Sequence, residues 1–132
     1  MTYLLDTNIC IYALKQHPSV LARLLAEARS EVALSVITEG ELRAGAAKSA
    51  SPTRTLRLLE HFLAPITVLD YSSSDTVSYA HVRARLERAG TPIGPMDMLI
   101  AGHAVARELT LVTNNEREFK RVAGLRVENW AG

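Results

Sequence analysis

Three carboxylates and one amide each fall just after a predicted strand or near the start of a predicted helix. They are Asp6, Glu41, Asp97 and Asn115. Carboxylate and amide oxygens are hard ligands, which favour Mg²⁺ or Mn²⁺ over zinc. A divalent ion held by such a set provides an activated water and stabilises the charge that develops on a phosphate. These residue types therefore point to metal-assisted hydrolysis of a phosphodiester.

Carboxylates gathered at one edge of a sheet would repel one another. Two unit charges about 4 Å apart cost roughly 4 kcal/mol at an effective dielectric constant of about 20. Raised pKa values, neighbouring cations or a bound divalent ion must offset that repulsion. The acidic positions therefore predict either strong pKa shifts or a metal site.

Each of these residues also has a purely structural interpretation. Asp6 could cap the helix that begins at Thr7, and the helix dipole would favour Asp97 in a first turn. Thr38 and Glu41 could form a capping box, and Asn115 could belong to a simple turn. Their shared placement at one edge of the predicted sheet favours the functional interpretation.

The elements that must position these residues alternate between strands and helices. Apolar segments predict strands at 3–5, 32–36, 66–69, 109–113 and 126–128. Helical periodicity predicts helices at 7–15, 19–29, 38–48 (capped by Thr38), 53–63, 75–89 and 96–108. Strands separated by helices pair in parallel through right-handed crossovers. We therefore expect a three-layer α/β/α sandwich with a central parallel sheet and a site at the carboxyl ends of its strands.

Length and composition limit the possible classes of protein. The 132 residues predict a single domain spanning 1–132, and 48% hydrophobic residues supply an ordinary core. The lone Cys10 excludes an intrachain disulfide, and no apolar run is long enough to cross a membrane. With no leader pattern after Met1, we expect a cytoplasmic protein. The net charge of +1 means that any nucleic-acid binding must come from a local group of cations.

Four segments of the chain carry a recognisable combination of motifs. They are LDTN at 5–8, SVIT with GELRAG at 35–45, PIGPMDMLIA at 92–101, and LVTNN at 111–115 followed by Glu118 and Phe119. Together with the ending GLRVENW at 124–130, they resemble PIN-domain nucleases, and among these the VapC-type toxins. The resemblance runs in order along essentially the whole chain.

The resemblance implies an endoribonuclease that depends on Mg²⁺, with Mn²⁺ as a substitute. It implies the toxin of a type II toxin–antitoxin pair, cutting tRNA and in the most similar subgroup initiator tRNA. Such toxins are homodimers, and a VapB-type antitoxin inhibits them and carries the DNA-binding domain of the complex. On this basis Asp6 and Asp97 would hold the essential ion, Glu41 would ligate through water or act as a base, and Asn115 would complete the catalytic set.

One position departs from the family pattern. Many PIN proteins have an aspartate where this chain has Asn115, and an amide adds no charge to the site. A second metal ion is therefore in question, and Glu116 or Glu118 is the alternative source of a fourth acid. Arg43, two residues after Glu41, is the best single candidate for contacting RNA phosphates.

Two other functions fit parts of the pattern. A haloacid-dehalogenase-like phosphatase also has an aspartate after its first strand, but it needs a second one two residues later, where this chain has Asn8. A non-catalytic binding module could keep the PIN fold without binding metal. Release of phosphate from small esters would identify the phosphatase, and failure to bind magnesium would identify the module.

Overall fold

A five-stranded parallel sheet forms the centre of the computed structural model, which describes residues 1–132. Its strands are β1 (Tyr3–Leu5), β2 (Val32–Ser35), β3 (Thr67–Leu69), β4 (Thr110–Val112) and β5 (Val127–Glu128), in the order β3-β2-β1-β4-β5. In the central strand, Leu5 pairs with Leu34 on one side and with Val112 on the other. The carboxyl ends of β1, β2 and β4 therefore lie side by side.

Seven helices cover the two faces of the sheet. They are α1 (Thr7–Leu14), α2 (Pro18–Ala26), α3 (Val36–Lys48), α4 (Pro52–Leu63), α5 (Ser73–Arg88), α6 (Pro95–Ala106) and α7 (Glu116–Phe119). Leu4 belongs to a core with residues of α5 and α6, whereas its neighbour Leu5 belongs to a core with residues of α1 to α4. Alternate side chains of β1 therefore enter opposite layers, and the predicted α/β/α sandwich is confirmed.

Close packing of α5 against α6 depends on a glycine. A Cβ built on Gly102 would lie 2.6 Å from Cα of Tyr79, so any side chain there would push α6 away from α5. The position of α6 matters because this helix carries Asp97 in its first turn. None of the helices combines the length and apolarity that a membrane crossing needs.

One local prediction from the sequence is wrong, and one short helix has no counterpart among the predicted elements. Thr38 does not cap a helix, because β2 runs directly into α3 and the Ser35 hydroxyl accepts the capping hydrogen bond from the Ile37 N–H, 3.1 Å away. Thr38 is instead a buried residue inside α3. The four-residue helix α7 was not predicted, since one helical turn shows no periodicity.

Candidate active site

Asp6 lies at the centre of the sheet edge, directly after β1. Its side chain is only 4% exposed, and Oδ1 accepts a hydrogen bond from the Ile9 N–H at 2.9 Å. Its other oxygen, Oδ2, accepts a hydrogen bond from the Thr113 hydroxyl, at the end of the adjacent strand β4. Asp6 is therefore both the N-cap of α1 and a fixed acid between two strand ends.

The environment of Asp6 opposes its ionisation. Burial is the largest effect and raises its pKa from 3.8 to about 6, against the lowering effect of the hydrogen bonds from Thr113 and Ile9. The negative charges of Asp97 and Glu41 raise the pKa further. The three predicted acids are therefore close enough to interact electrostatically.

Glu41 reaches this edge from the second turn of α3. Its Oε1 accepts a hydrogen bond from the Thr7 hydroxyl at 2.6 Å, and the same hydroxyl lies 3.2 Å from Oγ1 of Thr38. Thr7 is the first residue of α1 and follows Asp6 directly. The first two motifs are therefore joined by a side-chain hydrogen bond across 34 residues of sequence.

Asp97 occupies the third position of α6, where the helix dipole favours a negative charge. Its carboxylate folds back towards the helix start, since a Cβ on Gly94 would be 3.2 Å from its Oδ2. Burial raises the pKa of Asp97, followed by the charges of Glu118 and Glu41. Asp97 therefore interacts with a fourth acid as well as with the predicted acid Glu41.

That fourth acid is Glu118, which the sequence offers only as an alternative to Asn115. Glu118 lies on α7, whose single turn carries its side chain back to the sheet edge near Asp97. Asn115 is the N-cap of α7, and its backbone N–H donates to Oγ1 of Thr113 at 2.9 Å. Because Thr113 in turn donates to Asp6, the backbone of Asn115 helps to orient the hydroxyl that holds the first acid.

Arg43 is engaged in ion pairs on the outer side of α3. Its Nη2 lies 2.8 Å from Glu39 Oε2, and its Nη1 lies 2.6 Å from Glu60 Oε1 on α4. An RNA phosphate would have to compete with both carboxylates for this guanidinium. Contact between Arg43 and RNA therefore stays a prediction, and the structure gives the residue a role in joining α3 to α4.

A buried polar network supports the site from behind. His103 of α6 is fully buried, with Nδ1 hydrogen-bonded to the Ser35 hydroxyl at 2.9 Å and Nε2 3.6 Å from Asp75 Oδ2. Arg107 donates to both oxygens of Asp75, at 2.9 and 3.0 Å, and holds the pKa of that carboxyl well below its usual range. Burial lowers the pKa of His103. The network fixes α5 and α6 against Ser35, the residue that starts the Glu41 helix.

Comparison with known proteins identifies the family. A model of the PIN domain matches residues 3–125 of the chain. The chain belongs to the PIN-domain family. It is 44% identical over 131 residues to the tRNA(fMet)-specific endonuclease VapC of Shigella flexneri, with 99% of both chains covered. This similarity puts it in the VapC group of PIN-domain proteins.

Solved structures of PIN-domain proteins agree with this assignment. The crystal structure of DNA-bound VapBC from Salmonella typhimurium matches with a TM-score of 0.94 and 44% identity, over 98% of each chain. VapBC2 from Rickettsia felis, bound to a DNA fragment from their promoter, matches with a TM-score of 0.91 and 41% identity, over 98% of this chain and 99% of that one. The resemblance inferred from the motifs is confirmed.

PIN nucleases generally depend on a divalent metal, and the donors present here fit such an ion. The site offers only carboxylate, amide and hydroxyl oxygens, and two of its acids have raised pKa values that a cation would reverse. No three His, Cys, Asp or Glu side chains converge into a ready-made cage. Magnesium does not need one, because it keeps several waters and binds through one or two carboxylates.

Proposed function

We propose that this PIN-domain protein is a metal-dependent endoribonuclease and the toxin of a toxin–antitoxin pair. The observation that carries the proposal is the buried Asp6, whose pKa is raised by burial and by the charges of Asp97 and Glu41. Clustered acids with raised pKa values are typical of functional sites, and a bound cation offsets the repulsion between them. The all-oxygen donor set supports Mg²⁺, with Mn²⁺ as a substitute.

We assign separate roles to the acids. Asp6 and Asp97 hold the ion, Asp6 rigidly through its hydrogen bonds with Ile9 and Thr113, and Asp97 from the helix start. Glu41, oriented by Thr7, ligates through water or accepts a proton from the attacking water. Glu118 adds the negative charge that Asn115 lacks, while Asn115 keeps Thr113 in position.

The ion, when bound, supplies an activated water at neutral pH and stabilises the negative charge that develops on the phosphate. The protein contributes orientation: three of the four acids sit on helices that begin at the carboxyl edge of the sheet or beside it. Without a cation, the negatively charged carboxylates would repel the phosphate of the RNA. A bound divalent ion neutralises them and allows one phosphodiester to approach. Activity should therefore depend strictly on the divalent ion.

The substrate and partners follow from the relatives. Because the Shigella relative is named a tRNA(fMet)-specific endonuclease, initiator tRNA is the first substrate to test. Relatives in the VapBC structures form complexes that bind DNA, so we infer a VapB-type antitoxin for this chain, and contact with DNA only through it. We further infer that the chain acts as one domain, forms a homodimer and works in the cytoplasm.

Cleavage of RNA by the purified, antitoxin-free protein tests the proposal. Total bacterial RNA is incubated with Mg²⁺, with Mn²⁺ or with a chelator, and the fragment ends are sequenced. We expect discrete cuts in tRNA that need the metal and disappear in Asp6→Ala. Initiator tRNA is then compared with the elongator methionine tRNA. A folded protein that cut no RNA in either metal would instead be a binding module.

A phosphatase of the haloacid-dehalogenase type is not supported. Asn8 occupies the position where that class needs its second aspartate, and the chain belongs to a different family. Release of phosphate from a small phosphate ester provides the control. We expect none above the rate without protein.

A further inference from the structure

A cationic cavity lies on the face of the sheet covered by α5 and α6, outside the carboxylate site. It has a volume of about 170 Å³ and is enclosed by α5, the end of α6 and the segment 121–123 that follows α7. Its polar lining comes from Ser78, His81, Arg85 and Arg121, and its apolar floor includes Val82, Leu86 and Val122. No acidic residue lines it.

The two arginines of this cavity have no ion-pair partner, in contrast to the arginines that stabilise helix contacts. Arg23, Arg43, Arg83 and Arg107 each have a carboxylate oxygen within 3.2 Å. Arg85 and Arg121 have no carboxylate within 4.0 Å. Their positive charge is therefore not neutralised within the chain, and it attracts an anion to a protein whose net charge is only +1.

A direct contact connects the cavity with the carboxylate site. Arg121 Nη1 donates a hydrogen bond to the Pro92 carbonyl at 3.3 Å, and Pro92 lies in the loop between α5 and α6 that leads to Asp97. Arg121 also follows Glu118 by three residues, at the end of the α7 turn. Arg121 is therefore close to the carboxylate site both in sequence and through its contact with the loop before α6.

We propose that this cavity binds a nucleotide of the RNA substrate away from the cleaved bond. Arg85 and Arg121 contact its phosphate, and the aliphatic floor packs against its sugar, because about 170 Å³ does not enclose the base as well. A cationic rim over an apolar floor fits a nucleotide better than a free inorganic anion, which would leave the floor uncovered. The inference rests on the proposed ribonuclease function, since it assigns a second contact to the same substrate.

Binding of RNAs of two lengths tests the site. A labelled short RNA spanning only the cleaved bond is compared with the same RNA extended on both sides, in the Asp97→Asn background and with Mg²⁺, so that the RNA is kept intact. We expect the extended RNA to bind more tightly than the short RNA. Arg85→Glu or Arg121→Gln should each reduce this gain in affinity about tenfold. Loss of one phosphate contact should also reduce the slope of log affinity against log salt by about 0.7.

Arg54→Glu is the matched control. Arg54 is an exposed arginine on α4, on the opposite face of the sheet, and has no carboxylate partner. Arg54→Glu changes the net charge by the same amount as Arg85→Glu. We expect it to change the affinity for the extended RNA less than twofold. An equal loss in Arg54→Glu, or no effect of Arg85→Glu on the extended RNA, would overturn the proposal, as would an absence of RNA binding by the parent protein.

The two proposals can fail separately. If wild-type protein cuts no RNA but Arg85→Glu still removes the gain from extension, the ribonuclease function fails and the binding cavity stands. If wild-type protein cuts RNA and Arg85→Glu leaves the binding of the extended RNA unchanged, only the cavity proposal fails.

Discussion

The Thr7 hydroxyl donates a hydrogen bond to Glu41, with Oγ1 and Oε1 2.6 Å apart. Thr7 follows Asp6 in the chain, so the residue next to the first acid orients the second. The relationship places two motifs of the PIN fold under one local constraint. It also gives a way to disturb the site without removing any of its charges.

Replacing Thr7 by valine should reduce RNA cleavage by a factor of about 10 to 100. The substitution preserves the β-branched shape but removes the hydroxyl, and the loss of one hydrogen bond to a charged group is worth about 1.5–3 kcal/mol. Thr7→Ser keeps the hydroxyl and should retain most of the activity. Single-turnover cleavage rates at saturating metal measure the difference. Equal rates for the valine and wild-type proteins would show that Glu41 does not need this contact.

Asp6→Asn should stabilise the metal-free protein. Holding Asp6 charged at neutral pH, when its pKa is raised from 3.8 to about 6, costs on the order of 3 kcal/mol. Asparagine keeps an acceptor for the Ile9 N–H without the charge, so Tm should rise by on the order of 10 °C. Asp70→Asn, at an exposed aspartate whose charge acts on Arg107 and not on Asp6, is the control and should change Tm much less.

The pH dependence of that stabilisation has a definite sign. A raised pKa in the folded state means that the contribution of Asp6 to stability is greatest below pH 3.8 and is lost as pH rises through about 6. The difference in Tm between Asp6→Asn and wild type should therefore be large at pH 7.5 and small at pH 4. Thermal unfolding in chelator across this range measures it. A difference that grew towards low pH would contradict the shift.

Binding of the divalent ion should weaken as Asp6 becomes protonated. Because the ion needs the carboxylate form, affinity should fall by up to about tenfold per pH unit below pH 6. Titration calorimetry with Mn²⁺ at several pH values measures this dependence, and Asp70→Asn again serves as the control. Affinity that stays constant from pH 7 to pH 5 would place the ion away from Asp6.

Glu118 and Asn115 can be compared directly as the fourth member of the site. Since the charge of Glu118 raises the pKa of Asp97, Glu118→Gln should weaken the affinity for the ion by about tenfold, the equivalent of about 1.4 kcal/mol. Asn115→Ala should have a smaller effect, because its backbone N–H still donates to Thr113. The reverse ranking in Mn²⁺ titrations would make Asn115, which the sequence predicts as the fourth catalytic residue, more important for metal binding than Glu118.

The order of the elements could be predicted because the central strands are buried on both faces. Leu4, Leu5, Leu111 and Val112 form short uninterrupted apolar runs, which is how parallel strands appear in a sequence. The placement of Asp6, Glu41 and Asp97 at the carboxyl edge followed from that order alone. Their distances from one another did not, because these depend on how α3 and α6 pack on the sheet.

Ser35 and Glu118 show why some details of the site cannot be predicted from the sequence. Ser35 is both the last residue of β2 and the N-cap of α3, so no loop residue separates the strand from the helix. The local sequence therefore favours Thr38 as the cap. Glu118 reaches the site through one turn of helix, which is too short to produce a periodic pattern. In both cases a tertiary contact decides the role of a residue whose local sequence favours another.

Cleavage of the same RNA by wild-type protein and by Asp97→Asn tests the central claim most directly. The variant preserves the size of the side chain at the start of α6 but removes the charge that faces Glu118 and Glu41. With Mg²⁺ we expect wild type to cut RNA at discrete sites, and we expect Asp97→Asn to be slower by a factor of about 100 or more, as when a metal ligand is lost. Cleavage by Asp97→Asn at the wild-type rate, or undiminished cleavage by wild type in chelator, would contradict the metal-dependent mechanism.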